Sequence, residues 1–86
     1  MKVLMVCLGN ICRSPLAQGI LEKKVAKHGL NVTVDSAATL DYHIGDLPDP
    51  RSISKAAEYG IDITNQRGRQ IQKSDFQEFD KIYVMD

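Results

Sequence analysis

One junction constrains this chain more than any other feature. Apolar residues run unbroken over residues 3–8 and stop at Gly9-Asn10. A polar stretch continues through Arg13, and Ser14-Pro15 then opens a helical pattern. Residues 3–6 suit a central parallel strand covered on both faces. Ser14 reads as a helix N-cap and Pro15 as the first helical residue, where a missing N–H costs nothing. Leu16, Ala17, Ile20, Leu21 and Val25 form one apolar stripe on a helix running to about Lys27. Lys23, Lys24, Lys27 and His28 crowd its C-terminal half, where the helix dipole favours cations, and Gly29 supplies a left-handed stop. The apolar run is too short to span a bilayer, and Gly9-Asn10 follows it where a signal peptide would need a small-residue cleavage site.

Beyond Gly29, residues 31–35 alternate Val32 and Val34 with polar neighbours, as an edge strand does. A long loop follows over residues 36–49, with turn chemistry at Gly45-Asp46 and Leu47-Pro48. Asp49-Pro50 repeats the cap-then-proline pattern, opening a helix with Ile53, Ala56 and Ala57 inward and Gly60 as its stop. Ile61 and Ile63 are placed beneath the next loop, and Arg67 and Arg69 either on a solvated face or near the rim of the site, where they would add positive potential. Ser74 and Gln77 have capping-box spacing for one helical turn, and residues 81–86 form a third strand. The alternation of strand and helix predicts one parallel α/β domain over residues 1–86, with ligands at the carboxyl ends of the strands. Because the apolar third strand would leave a bare sheet edge, the chain is expected to be truncated after it.

Eleven Lys and Arg balance eleven Asp and Glu, so whole-molecule attraction to nucleic acid or to an anionic membrane is not expected. Two cysteines five positions apart are too few for a disulfide framework and fit a reducing, cytoplasmic compartment. His28 reads as a helix-end residue and His43 as a solvated loop residue, neither with the partners a zinc site needs.

The chemistry concentrates at residues 7–14. Successive backbone N–H groups between a strand end and a helix N-terminus, with Gly9 permitting a tight turn, make a nest for an anion. Arg13 adds a planar fork able to hold two phosphate oxygens. The same field stabilises a thiolate at Cys7, a nucleophile at neutral pH. Ser14 can hydrogen-bond that sulfur and help it leave from a phosphocysteine. Asn10, tolerant of left-handed backbone, can hold the loop open. A cradle of this kind needs no metal or other cofactor, because backbone dipoles and Arg13 neutralise the transferring group. It should accept tetrahedral oxyanions: phosphate, sulfate, vanadate and arsenate.

The run VCLGNICRSP at residues 6–15 resembles the loop of the low-molecular-weight protein tyrosine phosphatases. The similarity continues through DSAAT at residues 35–39, SDF at 74–76, Phe79-Asp80 and Met85-Asp86. It covers this chain and about the first half of a typical member. The resemblance implies a flavodoxin-like or Rossmann-like three-layer sandwich and hydrolysis of phosphotyrosine, or of small aryl phosphates, through phosphocysteine. It implies Cys7 as nucleophile, Arg13 as phosphate clamp, Ser14 as the sulfur's partner, and Leu8, Gly9, Asn10, Ile11 and Cys12 as walls of the substrate site. By the same resemblance Asn10 and Ser36 order the loop, Tyr42 lines the aromatic slot, Asp49 lies at its mouth, and Cys7 and Cys12 can form a reversible disulfide. The related arginine phosphatases usually carry Thr where this chain has Ile11, which favours phosphotyrosine.

Two departures from the family pattern stand out. Its general acid is an Asp far downstream of residue 86, and Asp86 itself matches a structural position. Without a proton donor, expulsion of tyrosinate should slow roughly 100- to 10,000-fold. Gln66 stands where many relatives place a His that supports the loop. Three rivals stay open: an arsenate reductase sharing the cradle, a phosphocarrier, and a non-catalytic phosphate-binding module.

Overall fold

The computed structural model describes residues 1–85. Six elements follow in order: β1 (Lys2–Cys7), α1 (Arg13–His28), β2 (Thr33–Ala38), α2 (Pro50–Glu58), α3 (Asp75–Glu78) and β3 (Lys81–Val84). The strands form one parallel sheet in the order β2-β1-β3. Val6 stands beside Ala37 on one side and Val84 on the other, so all three strands end together. The loop after β1 therefore leaves from the middle of the sheet's carboxyl edge. Asp86, the last residue of the expected third strand, lies outside the described residues.

Strand alternation divides the interior into two unlike halves. Leu4, Val6 and Ala37, all essentially fully buried, meet Ile71, Phe79 and Ile82 on one face. The opposite face receives α1 through a polar seam. Gln18 Nε2 donates to the Val34 carbonyl at 3.3 Å, and Ser36 Oγ donates to Gln18 Oε1 at 2.6 Å. Each buried polar atom in that seam thus has a partner, which offsets the cost of its desolvation. Gly19 sits just beyond it. A methyl there would lie 2.7 Å from Ile63 Cγ2 and 2.9 Å from Ile61 Cγ2, so the helix reaches this depth only because residue 19 has no side chain.

Several expectations shift in detail. β2 starts at Thr33 and runs to Ala38, because its backbone keeps pairing with β1 through the segment read as loop. The cap of α1 falls at Cys12 rather than Ser14, whose side chain turns inward to other partners. The inward face of α1 is Ser14, Pro15, Gln18 and Gly19, while Ile20 is 45% exposed. The stripe that includes Leu16 and Ile20 instead borders an open groove against α2. α2 begins as read: Asp49 accepts the Arg51 N–H at 2.8 Å, and Pro50 is its first residue. Ala56 is buried but Ala57 is exposed, one helical position too far round. Ser74 makes no side-chain cap, because its backbone is already helical (φ −61°, ψ −26°) where a capping residue is normally extended. Among the described residues no helix is long and apolar enough to cross a membrane.

Candidate active site

Residues 7–13 wrap a cavity of about 270 Å³ at the carboxyl edge of the sheet, lined by Cys7, Leu8, Gly9, Ile11, Cys12, Arg13 and Met85. The loop's carbonyls are drawn outward one by one. Cys7 O accepts from Thr39 N–H and Leu8 O from Leu40 N–H, each at 3.0 Å. Ile11 O accepts from Asp49 N–H at 2.6 Å, and Cys12 O from Leu16 N–H at 3.3 Å. With those acceptors engaged outside, the loop's N–H groups are left to face the concave side, as an anion nest requires.

Beneath the cavity, the Cys7 sulfur lies 3.0 Å from Ser14 Oγ. Asn10 Nδ2 donates to that same oxygen at 2.7 Å, so the hydroxyl's own proton is free to point at sulfur. Burial opposes ionisation of Cys7. The Ser14 hydroxyl and the backbone N–H groups of Ser14, Asn10 and Gly9 outweigh it and hold the thiol's pKa below its ordinary value. A sulfur whose ionisation is eased in this way, at the floor of the cavity, has the setting that thiol nucleophiles use.

Asn10 carries a left-handed backbone, φ 56°, and is almost wholly buried. Its amide oxygen accepts the backbone N–H of Arg69 at 3.1 Å. The Arg69 guanidinium is fixed in turn. It donates to Asp75 through two bonds of 3.0 and 3.1 Å and to Asp35 at 3.2 Å. Both ends of this clamp respond: the Arg69 bonds hold the Asp75 carboxyl below the usual carboxylate range, and its two acidic partners raise Arg69 despite burial. Arg69 was read as a solvated cation or a charge near the rim. It is instead a half-buried strut joining β2, α3 and the loop, while Arg67 is exposed and donates to the Thr64 and Gln66 carbonyls.

His43 lies in a loop with its side chain 38% exposed, as expected, and it makes contacts besides. Its ring lies against Gly9, so that a methyl on Gly9 would sit 3.1 Å from Cδ2, and its Nδ1 lies 3.1 Å from Asp46 Oδ2. A backbone clasp secures it: Gly45 N–H donates to Gly68 O and Gly68 N–H to Asp46 O, both at 2.8 Å. A side chain at residue 68 would overlap the His43 carbonyl, at 2.1 Å.

The structure gathers Cys7, Leu8, Gly9, Ile11, Cys12 and Arg13 around the cavity, with Asn10 and Ser14 directly below. It places the others elsewhere. Tyr42 is 76% exposed and does not line the cavity. Asp49 caps α2 and pairs with Arg51, touching the loop through its backbone N–H. Ser36 engages Gln18 rather than Asn10. Gln66 Nε2 donates to Pro15 O at 3.0 Å, so it braces the start of α1 and leaves Asn10 to Arg69. Cys7 and Cys12 are both free thiols, and Cys12 Sγ accepts a hydrogen bond from Ser52 Oγ at 3.3 Å. Met85, Ser52 and Arg69 are the residues sequence reasoning missed. Met85 follows β3 at the sheet's carboxyl edge, and that position was the available signal. No carboxylate lines the cavity among the described residues, and these residues contain no cluster able to hold a metal.

In sequence and fold the chain is similar to known proteins. The family model for low molecular weight phosphotyrosine protein phosphatase matches residues 2–86. Low molecular weight phosphotyrosine protein phosphatase 1 of Drosophila melanogaster is 49% identical over 86 residues, covering 99% of this chain and 55% of its own. The crystal structure of YfkJ from Bacillus subtilis superposes with a TM-score of 0.97 at 40% identity, covering 100% of this chain and 55% of that one. The Drosophila arginine phosphatase DARP gives 0.96 at 42% identity, with coverage of 100% and 55%. The chain spans about half the length of the curated relatives it matches. A parallel α/β fold, the anion cup after β1 and a match along nearly the whole chain agree: the chain belongs to the low molecular weight phosphotyrosine protein phosphatase family.

Proposed function

We propose that this chain carries the phosphoryl-transfer half of a protein tyrosine phosphatase. The Cys7 thiolate attacks the phosphorus of an aryl phosphate in line, a P–S bond forms as the P–O bond to the phenol breaks, and water then cleaves the phosphocysteine. Arg13 and the loop N–H groups hold the equatorial oxygens through both steps. The Ser14 hydroxyl stabilises sulfur when it attacks and again when it leaves. Leu8 and Ile11 flank the aromatic ring. Phosphate, sulfate and vanadate bind the same cup without a cofactor. The protein partner is one that bears phosphotyrosine, and two free cysteines support a reducing, cytoplasmic setting.

The observation that carries this reading is the bond between Ser14 and the sulfur, with Asn10 orienting the hydroxyl. A merely structural cysteine at a strand end has no use for it. Among the described residues the cavity lining offers no carboxylate, so with these residues alone a leaving group that departs unprotonated is favoured. Initial rates on para-nitrophenyl phosphate and on a phosphotyrosine peptide test this, with Cys7→Ser as control. Turnover of the first, lost in Cys7→Ser, with the peptide slower by roughly 100-fold or more, is expected. Hydrolysis that survives Cys7→Ser would remove the nucleophile assignment. Arsenite production from arsenate would favour the reductase.

A further inference from the structure

A second concavity, larger than the cup, lies elsewhere on this molecule. It is an open groove of about 460 Å³ between α1 and α2, lined by the apolar Leu16, Ile20, Ala56 and Ile61 together with four lysines. The size and apolar lining are those of a small-molecule site rather than of a surface irregularity. Its polar groups have one sign. Lys23, Lys24, Lys27 and Lys55 line it, and no lining residue is acidic, in a chain whose formal net charge is zero. Lys23 Nζ donates to the Tyr59 carbonyl at 2.7 Å, a neutral partner that leaves its charge unbalanced. Lys55 lies 3.8 Å from Glu58 and over the Tyr59 ring at 5.7 Å, a loose and exposed pairing.

The groove is polarised along its length. Leu16 and Ile20 come from the first half of α1, and Lys23, Lys24 and Lys27 from the second. Tyr59, which follows α2, meets Lys23 there through its carbonyl. An occupant complementary to this layout has one anionic head and one apolar tail. We propose that the groove binds a single-chain fatty-acid carboxylate, its head among Lys23, Lys24 and Lys27 and its tail along Leu16, Ile20 and Ile61. Other occupants fit less well. A flat bilayer cannot enter a concave slot. An acidic peptide distributes its charge along its length, whereas the lysines of α1 here are at one end. A second copy docked symmetrically on this groove would offer its lysines no carboxylate from the facing groove, since no lining residue is acidic. Nothing in this inference depends on the chemistry at Cys7.

The test is a titration of the chain with sodium dodecanoate below its micellar range, followed by amide chemical shifts. Shifts are expected at Leu16, Ile20, Ala56 and Tyr59, with affinity falling roughly fourfold for each methylene removed in decanoate and octanoate. Lys24→Glu/Lys27→Glu alters two exposed side chains and should weaken dodecanoate about tenfold. The neutral methyl ester should bind the wild-type chain more weakly than the acid. Affinity indifferent to both tail length and head charge would overturn the proposal. So would shifts confined to residues 7–13, or sedimentation showing the groove buried in a dimer. Tighter capture of an acidic peptide than of dodecanoate would reassign the groove to a protein partner. If the double variant fails to fold, the tail-length series on the wild-type chain decides.

Discussion

Asp75→Asn removes one formal charge while keeping the shape of the side chain, and it tests whether the Arg69 strut supports the cup. The wild-type carboxylate accepts two guanidinium bonds at 3.0 and 3.1 Å and the Gln72 N–H at 2.7 Å. An asparagine oxygen can retain the Gln72 bond, but its amide group then faces the guanidinium. Bonds to charged groups are worth about 1.5–3 kcal/mol each. Arg69 keeps Asp35, and its side chain is 32% exposed, so water recovers part of the loss. The net destabilisation should be about 2–3 kcal/mol. A chain of this length has roughly 4–13 kcal/mol in total, so urea unfolding will register the change as a clearly lower midpoint. The pH dependence has a definite sign. The folded Asp75 pKa lies below its unfolded value of about 3.9. Its contribution is therefore complete above about pH 4 and is lost as pH falls through the lower folded value. The gap between wild type and variant should narrow as the pH is taken down from about 4. Vanadate should also bind the variant less tightly at neutral pH, because the Arg69 N–H anchors Asn10. Equal midpoints at pH 7, or a gap that persists undiminished into acid, would refute the strut.

Ser14→Ala should raise the Cys7 pKa, moving the acidic limb of the pH–rate profile for para-nitrophenyl phosphate to higher pH, since the largest contact lowering that pKa is gone. Asn10→Ala places a side chain without local hydrogen bonds at φ 56°, costing about 1–2 kcal/mol in backbone strain, and should weaken vanadate binding besides. Gly68→Ala should open the clasp on His43, read as a large loss of urea resistance, because the obstacle is a carbonyl rather than a movable side chain. Gly19→Ala should cost about 1–3 kcal/mol by overpacking against Ile61 and Ile63, measured in the same way.

What was legible in the sequence was local. The β1–loop–α1 junction, Gly29 as a left-handed stop and Asp49-Pro50 as a helix start each depend on neighbouring residues, and each stands in the structure. Arg69 was misread because its meaning lies in Asp35 and Asn10, 34 and 59 residues away. The contacts of His43 with Gly9 and of its carbonyl with Gly68 were invisible for the same reason. Ser14 carried two signals at once, a helix start and a partner for sulfur, and the second decides where its side chain points. The stripe on α1 has an ordinary helical period, but depth depends on what lies opposite: Gly19 is buried and Ile20 is not.

The link from Arg69 to Asn10 also has a consequence in time. The cup is made of adjacent residues, yet the bond that holds its one left-handed residue spans most of the chain. Ordering that contact requires closing a long loop, a slow entropic step compared with forming α1 or α2. A refolding chain will therefore regain helical circular dichroism before it regains affinity for vanadate. In that interval Cys7 belongs to an incompletely ordered loop, with its thiol not yet tuned by Ser14. Oxidants present during refolding will meet a different sulfur from the one they meet in the finished protein.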